Sequence, residues 1–178
     1  MVDTSKTPGE PTAPGQIAVV MGVAGCGKST LAEALAEQLN WKHLDADDFH
    51  PRSNIEKMRA GTPFTDEDRY PWLESIRAEL DRIVAQGNSA VLACSALKRS
   101  YRDILRATRA PVLFVLLQAS RQQVAERLAK RSGHFFPAAL LDSQLAALEP
   151  PDSSEPHVVV PAFQPVADMV EAVRAALR

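Results

Sequence analysis

The stretch Gly22-Val23-Ala24-Gly25-Cys26-Gly27-Lys28-Ser29 decides the fold of this chain of 178 residues. It matches the pattern G-x-x-x-x-G-K-[ST] without a gap, and at ordinary glycine usage such a match arises by chance in fewer than about one chain in a hundred. Residues 17–21 before it form a short apolar run, and residues 28–39 after it carry leucines at helical spacing. The stretch therefore predicts a phosphate-binding loop between a buried strand and an amphipathic helix.

The predicted loop has the parts needed to hold a nucleoside triphosphate and its metal ion. Glycines let the backbone turn tightly and aim N–H groups at phosphate oxygens, and the helix N-terminus adds partial positive charge. We expect Lys28 to reach the β- and γ-phosphates and the Ser29 hydroxyl to bind Mg²⁺. The predicted nucleotide-binding residues are Gly22, Val23, Ala24, Gly25, Cys26, Gly27, Lys28, Ser29 and Thr30.

Strands and helices alternate through the rest of the chain. The further predicted strands are 41–44, 90–93, 112–117 and 157–160. The further predicted helices are 66–85, with Pro71 in its first turn, 120–131, 137–148 and 166–177. This alternation predicts an α/β fold, a five-stranded parallel sheet with helices on both faces, whose ligands bind beyond the carboxyl ends of the strands.

The composition is that of one globular domain and excludes several classes of protein. Hydrophobic residues make up 46% and charged residues 24%, which argues against a disordered or fibrous chain. The net charge of −2 favours neither nucleic acid nor an anionic membrane, and no apolar run approaches the roughly 20 residues of a membrane-spanning helix. Two cysteines fit a reducing compartment, and we predict a cytoplasmic protein. Residues 1–16 are expected to form a flexible tail and residues 17–178 a single domain.

Carboxylates follow the second predicted strand, where they would face the γ-phosphate. Asp45 and Asp47 lie two apart, so in an extended chain their side chains point the same way. Such a pair can hold the water of Mg²⁺ and accept the proton of an attacking hydroxyl. We assign Asp45 to the metal and Asp47 to the proton, because Asp47 lies further past the strand end. Asp48 stays open as a rival base.

The loop alone leaves the reaction open among GTPases, motor ATPases and small-molecule kinases. The Asn-Lys-x-Asp element usual in guanine-binding GTPases is missing from the sequence, and the chain is short for a mechanical ATPase. Size and charge balance therefore favour a small-molecule kinase.

Further motifs follow the phosphate loop in order. They are Leu-Asp-Ala-Asp at 44–47, His-Pro-Arg-Ser-Asn-Ile-Glu-Lys-Met at 50–58, Gly-Thr-Pro at 61–63, Asp-Glu-Asp-Arg at 66–69 with Pro-Trp-Leu at 71–73, Cys-Ser-Ala-Leu-Lys at 94–98, Tyr-Arg-Asp at 101–103, Arg127, Arg131, Gly-His-Phe-Phe at 133–136, Leu141 and Ser-Gln at 143–144. With these motifs the chain resembles the bacterial gluconate kinase (gluconokinase) family, collinearly from about residue 17 to the C-terminus. Residues 150–156, which are rich in proline, and residues 161–163 depart from the family's pattern.

The resemblance implies that ATP phosphorylates D-gluconate at its 6-hydroxyl, giving 6-phosphogluconate for the catabolism of sugar acids. A polyol with a carboxylate needs cations and many hydrogen-bonding groups. The substrate-binding residues expected on this basis are Asp47, His50, Asn54, Lys57, Arg69, Lys98, Arg102 and His134. The resemblance also suggests a homodimer.

Two arginines end the helix after the fourth strand. In small kinases that share the phosphate loop, such a pair begins a mobile lid, here expected over residues 127–150. One arginine lies along the adenine and the other neutralises the transferring phosphate; the sequence does not say which of Arg127 and Arg131 takes which task. Two other functions stay open at this point, a shikimate-type kinase and a nucleotide-binding regulatory module without turnover.

Overall fold

A computed structural model describes residues 15–131 and 137–178. Its strands are β1 (Ile17–Met21), β2 (Lys42–Asp45), β3 (Ala90–Ala93), β4 (Val112–Gln118) and β5 (His157–Pro161). Its α-helices are α1 (Lys28–Leu39), α2 (Arg52–Arg59), α3 (Asp66–Ala85), α4 (Arg99–Arg106), α5 (Arg121–Lys130), α6 (Ala138–Ala147) and α7 (Val166–Ala176). The strands form one parallel sheet in the order β2-β3-β1-β4-β5, which confirms the predicted fold class.

The central strands are apolar because both faces of the sheet are covered. Every residue of β1 is buried, and alternate residues contribute to two separate hydrophobic cores. On one face α1, α5, α6 and α7 pack against Ala18 and Val20, and on the other α3 and α4 pack against Ile17 and Val19. The sheet order places the carboxyl ends of β3, β1 and β4 side by side, with β1 and its loop at the centre.

The structure corrects the predicted elements in several places. Helices α2 and α4 were not predicted, because each has only eight residues, most of them polar or charged. Pro71 lies inside α3 beyond its first turn, since Thr65 caps that helix together with Asp68. Gly15 and Gln16, expected in the tail, lie against the start of β3, where Gln16 O accepts a bond from Ala90 N–H. The rest of the predicted tail, residues 1–14, falls outside the described residues.

None of the helices within 15–131 and 137–178 combines the length and apolar character that crossing a membrane requires.

Candidate active site

The phosphate loop joins the end of β1 to the first turn of α1. Gly25 and Gly27 have φ angles of 79° and 98°, in the left-handed region that side chains disfavour. A Cβ on Gly25 would come within 2.8 Å of the Leu128 side chain of α5, so the loop also needs glycine for close packing. Lys28 Nζ donates to Val23 O at 3.0 Å and so lies folded over the loop. The loop therefore presents an ammonium group and the helix N-terminus to one side.

Ser29 and Asp45 come together at the mouth of this loop. Ser29 Oγ donates to Asp45 Oδ2 at 3.4 Å, while Asp45 Oδ1 accepts the N–H of Asp47 at 2.9 Å. Asp45 thus caps a single 3₁₀ turn, Ala46–Phe49, that begins where β2 ends. The cap fixes the orientation of Asp45, and the two oxygen-bearing side chains are of the type that Mg²⁺ prefers.

Asp45 and Asp47 were predicted to point the same way from an extended chain. This prediction is wrong, because the chain turns immediately after Asp45. The turn nevertheless leaves Asp47 with a side chain that is 87% exposed, and Asp47 lines the same cavity as Asp45. Asp48 is also exposed but is not part of that lining. The geometry favours Asp47 over Asp48 for contact with a bound substrate.

The loop and the carboxylates line one cavity of about 330 Å³. Its walls come from the phosphate loop, from the ends of β2 and β3, and from α3 and α6. The lining residues are Ala24, Gly25, Gly27, Lys28, Ser29, Thr30, Asp45, Ala46, Asp47, Trp72, Ala93, Cys94, Ser95, Arg131 and Gln144. Cations, carboxylates and main-chain donors therefore share one space at the carboxyl edge of the sheet.

The two arginines of the predicted lid face different spaces. Arg131 lines the main cavity beside the phosphate loop. Arg127 lies with its guanidinium carbon 5.3 Å from the centre of the Phe163 ring, and both residues line a second cavity of about 300 Å³. Phe163 has a φ angle of 63°, a costly conformation for an aromatic residue, in the turn after β5.

An aromatic stack forms the wall on the other side of Asp47. The rings of His50 and Trp72 lie 4.5 Å apart and nearly parallel, and Trp72 Nε1 donates to Ala46 O at 2.7 Å. Loss of solvent around His50 lowers the pKa of its imidazole despite the opposing charge of Asp47. His50 Nδ1 lies 3.5 Å from the amide nitrogen of Asn54, which can only donate, so Nδ1 accepts. A neutral His50 therefore directs its Nε2–H toward Asp47 Oδ1, 3.8 Å away.

Two of the predicted substrate-binding cations meet around Tyr101. The Arg69 guanidinium and the Lys98 ammonium each lie 5.6 Å from the centre of its ring. Lys98 Nζ pairs with Asp66 at 3.2 Å, and the Tyr101 hydroxyl donates to the same carboxylate at 2.5 Å. The hydrogen bond from Tyr101, followed by that from Lys98, lowers the pKa of Asp66. About a third of each cationic side chain stays exposed, so both can still reach a ligand.

Lys57 and Asn54 brace α2 against the start of α3. Lys57 Nζ lies 2.7 Å from both carboxylate oxygens of Asp68, and the amide of Asn54 donates to Asp68 O at 3.0 Å. Asn54 is 1% exposed. The structure thus gives both residues internal partners, and their predicted contact with substrate stays a prediction. His134 lies outside the described residues.

The structure contradicts the prediction that Arg102 binds substrate. Its side chain is 0% exposed and forms a two-pronged ion pair with Glu155, at 2.7 and 3.0 Å. The remaining guanidinium nitrogen donates to Ala96 O and Leu97 O. In the sequence Arg102 follows Lys98 by four residues, which suggested a shared helix face. Helix α4 begins at Arg99, however, and Arg102 lies on the face of α4 that packs into the core. Arg102 is therefore a structural residue that holds the turn before Lys98.

Sequence reasoning also missed residues that line the cavities. Ser95 follows β3, Trp72 lies on α3, Gln144 lies on α6, and Phe163 follows β5. The rule that ligands bind beyond strand ends could have singled out Ser95 and Phe163. Trp72 and Gln144 belong to the motifs at 71–73 and 143–144, but those motifs give them no role, because both residues reach the site from helices whose positions depend on packing.

The two cysteines follow neighbouring strands, as predicted, and both are buried. Burial raises the pKa of the Cys94 thiol to about 12, so it stays protonated at neutral pH. This state fits small core residues and not a reactive thiol pair.

Comparisons with known proteins agree with this geometry. Residues 17–151 match a family model described as an AAA domain. A gluconokinase of Gluconobacter oxydans (strain 621H) is 51% identical over 142 residues, which cover 80% of this chain and 80% of that protein. The thermosensitive gluconokinase of Escherichia coli (strain K12) is 41% identical over 145 residues, covering 82% of this chain and 78% of that protein. The crystal structure of a gluconokinase from Sinorhizobium meliloti 1021 superimposes with a TM-score of 0.81 at 45% identity, over 92% of this chain and 91% of that one.

Proposed function

Because the chain belongs to the gluconokinase family, and its residues 17–151 to the AAA domain family, we propose that it phosphorylates D-gluconate at the 6-hydroxyl with ATP. The products are 6-phospho-D-gluconate and ADP. A bond forms between the 6-oxygen and the γ-phosphorus, and the bond from the γ-phosphorus to the β,γ-bridging oxygen breaks. The reaction feeds the catabolism of sugar acids.

One observation carries this proposal: Lys28, Asp47 and Arg131 line a single cavity together with the phosphate loop. Phosphoryl transfer depends mostly on positioning and on charge stabilisation, and these residues supply both. The exposed carboxylate of Asp47 accepts the proton of the 6-hydroxyl as the new bond forms. Lys28 and Arg131 offset the charge on the transferring group.

Ser29 and Asp45 are the residues that would hold Mg²⁺. Their oxygens lie 3.4 Å apart beside the phosphate loop, and kinases commonly bind Mg²⁺ through one or two such side chains together with substrate phosphates. When bound, the ion neutralises charge on the β- and γ-phosphates.

The acceptor binds next to Asp47 and Trp72 of the cavity, where the starts of α3 and α4 meet through Asp66 and Lys98. Arg69 and Lys98 are half-buried cations near Tyr101, and they bind the carboxylate of gluconate. The stacked rings of His50 and Trp72 provide the wall next to Asp47, and a neutral imidazole suits hydrogen bonding with hydroxyl groups.

The geometry also favours one assignment of the lid arginines. Arg127 and Phe163 line the second cavity, and their stacked groups suit the adenine ring, whereas Arg131 lies beside the phosphate loop. We assign Arg127 to adenine and Arg131 to the transferring phosphate. The lid predicted over residues 127–150 belongs to a single domain over 17–178, and within it α6 packs into the core through Leu141.

Two further parts of the proposal concern the protein as a whole. A homodimer follows from the family resemblance, and light scattering after gel filtration tests it. A cytoplasmic location fits the two cysteines, because both are free and thiols stay reduced in that compartment.

The deciding experiment is an ADP-release assay with D-gluconate, other sugar acids and shikimate as acceptors. We expect turnover with D-gluconate to exceed that with shikimate by at least about 10³-fold, since a site built for one pattern of hydroxyls rejects a mismatched acid strongly. Phosphorus NMR of the product must show a phosphate monoester at carbon 6. Turnover with shikimate and not with gluconate would overturn the proposed substrate, and ATP binding without turnover of any acid would indicate a regulatory module.

A further inference from the structure

Helix α6 brings Gln144 to the phosphate loop from a distant part of the sequence. The helix is anchored by Leu141, which is 2% exposed in the core, and by the ion pair of Arg121 with Asp142 at 2.6 Å. Gln144 Oε1 accepts the N–H of Ala24 at 2.7 Å, and Gln144 lines the main cavity. No sequence motif for phosphate binding includes a residue 120 positions away, so the structure alone reveals this contact.

The hydrogen bond fixes which end of the carboxamide faces the cavity. A backbone N–H can only donate, so the atom next to Ala24 must be the oxygen, and the amino group of Gln144 is directed elsewhere. Within residues 15–131 and 137–178 its Nε2 has no hydrogen-bond partner, and no buried side-chain nitrogen or oxygen of that part of the chain lacks one. Nε2 is therefore accessible, and neither of its hydrogens is used by a described residue.

The second attachment of α6 places this donor with respect to the acceptor side. Just after the helix, Glu149 N–H donates to Leu97 O at 2.9 Å, and the Glu149 carboxylate accepts the N–H of Arg99 at 2.7 Å. The same segment thus touches the phosphate loop at one end and the turn around Lys98 at the other. Gln144 lies where the two halves of the site meet.

We propose that Gln144 is a catalytic residue that donates from Nε2 to the γ-phosphoryl group while its Oε1 holds the phosphate loop. Lys28 and Arg131 supply charge in the same cavity, and a neutral donor in a fixed position adds a bond that orients the transferring group and stabilises the charge on its oxygens. The inference rests on the proposed ATP site and does not depend on which acid is the acceptor.

The variant Gln144→Glu separates the two ends of the side chain. Glutamate keeps an oxygen for Ala24 N–H but replaces the two donors with a negatively charged oxygen facing the γ-phosphate. We expect kcat to fall at least about 10²-fold, the loss typical of removing one donor from a transition-state site. The affinity for a non-hydrolysable ATP analogue, measured by calorimetry without acceptor, should fall about tenfold while the affinity for ADP stays within about twofold.

Two further variants make the result decisive. Gln38→Glu makes the same chemical change on an exposed side chain in the last turn of α1, far from the loop, and should leave kcat and both affinities unchanged. Gln144→Met removes the donor and the acceptor without adding charge, and it should also weaken the ATP analogue more than ADP. It provides the test if Gln144→Glu melts at a lower temperature than the parent protein.

Two outcomes would overturn the inference. If Gln144→Glu keeps kcat within about threefold of the parent value, the side chain serves only as an acceptor for the loop. If the variants weaken ADP and the ATP analogue equally, Gln144 acts on the shape of the loop and not on the γ-phosphate. Both nucleotide measurements omit the acceptor, so failure to phosphorylate gluconate would be a separate result.

Discussion

The phosphate side and the acceptor side of the site differ in which parts of the chain form them. On the phosphate side, one contiguous stretch, residues 22–30, supplies main-chain N–H groups, one lysine and two hydroxyls. On the acceptor side, side chains come from several separate elements and already have partners: Lys98 pairs with Asp66, Lys57 with Asp68 and Arg102 with Glu155. A cation on the acceptor side can therefore bind substrate, brace two helices or stabilise the core.

This difference teaches that residue type predicts function only where the backbone does the binding. A phosphate loop needs glycines at fixed spacing, and its local geometry follows from that spacing. The role of an acceptor-side cation depends on its exposure and on its partner, which are set by tertiary packing. Substitutions on the two sides should accordingly fail in different ways, by loss of chemistry on one side and by loss of affinity or stability on the other.

The largest effect is expected on the phosphate side. Lys28→Ala should lower kcat by about 10³-fold or more, because it removes a main stabiliser of charge on the transferring phosphate. The lysine's hydrogen bond is to a loop carbonyl, that of Val23, so the melting temperature should change little. An ADP-release assay and a thermal melt on the same sample check both parts. A variant that keeps about a tenth of the parent rate would contradict the assigned role.

The second prediction concerns the core beneath the acceptor side. Arg102→Met should destabilise the protein by about 3–5 kcal/mol, because it leaves the Glu155 carboxylate buried without its partner. Urea unfolding measures this loss. The double variant Arg102→Met with Glu155→Leu should recover much of it, since a packed apolar pair avoids the cost of burying charge. If Arg102→Met raises the KM for gluconate with no loss of stability, the structural role assigned to Arg102 is wrong.

The contribution of the same ion pair to the free energy of unfolding depends on pH in a predictable direction. Hydrogen bonds from Arg102 lower the pKa of Glu155 below its ordinary value of 4.5, so near that pH the unfolded chain binds more protons than the folded one. The stability that ionised Glu155 contributes is thus present above pH 4.5 and is lost as the pH falls through the folded-state value. We expect Glu155→Gln to reduce the loss of stability on acidification below pH 4.5, measured by urea unfolding at each pH.

The sequence predicted the frame of the molecule well and the acceptor side less well. The five strands, the phosphate loop and helices such as 66–85 follow from local periodicity and glycine spacing. The turn at Ala46–Phe49 was missed, because a side-chain cap from Asp45 overrides the extended conformation that the preceding strand suggests. Arg102 was misassigned because its partner Glu155 lies 53 residues away. Gln144 was missed as a site residue because its partner Ala24 lies 120 residues away.

The fourth prediction tests which carboxylate serves the acceptor. Asp47→Asn should lower kcat about 10²-fold with little change in either KM, because asparagine keeps the size of the side chain but cannot accept the hydroxyl proton. Asp48→Asn is the matched control, one residue further along the same turn and outside the lining of the cavity, and it should be nearly normal. An inactive Asp48→Asn beside a normal Asp47→Asn would reverse the assignment. If both variants are nearly normal, no base is needed, as a loose phosphoryl-transfer transition state permits.

The smallest effect compares two lysines of the acceptor side. Lys98→Met should raise the KM for gluconate about tenfold and leave the KM for ATP unchanged, because it removes one charge-assisted bond to the carboxylate while methionine keeps most of the side chain's packing. Lys57→Met makes the same change at a lysine whose ammonium is held 2.7 Å from both oxygens of Asp68, and it should change the KM for gluconate less than about twofold. Initial rates with each substrate varied in turn measure both constants.

Since Lys98 also pairs with Asp66, a loss of binding could arise from movement of that carboxylate, and Asp66→Asn separates the two causes. This substitution leaves the Lys98 ammonium in place with less competition, so the KM for gluconate should stay level or fall. Equal increases in KM for Lys98→Met and Lys57→Met would mean that the acceptor side responds to its overall charge and not to one placed cation.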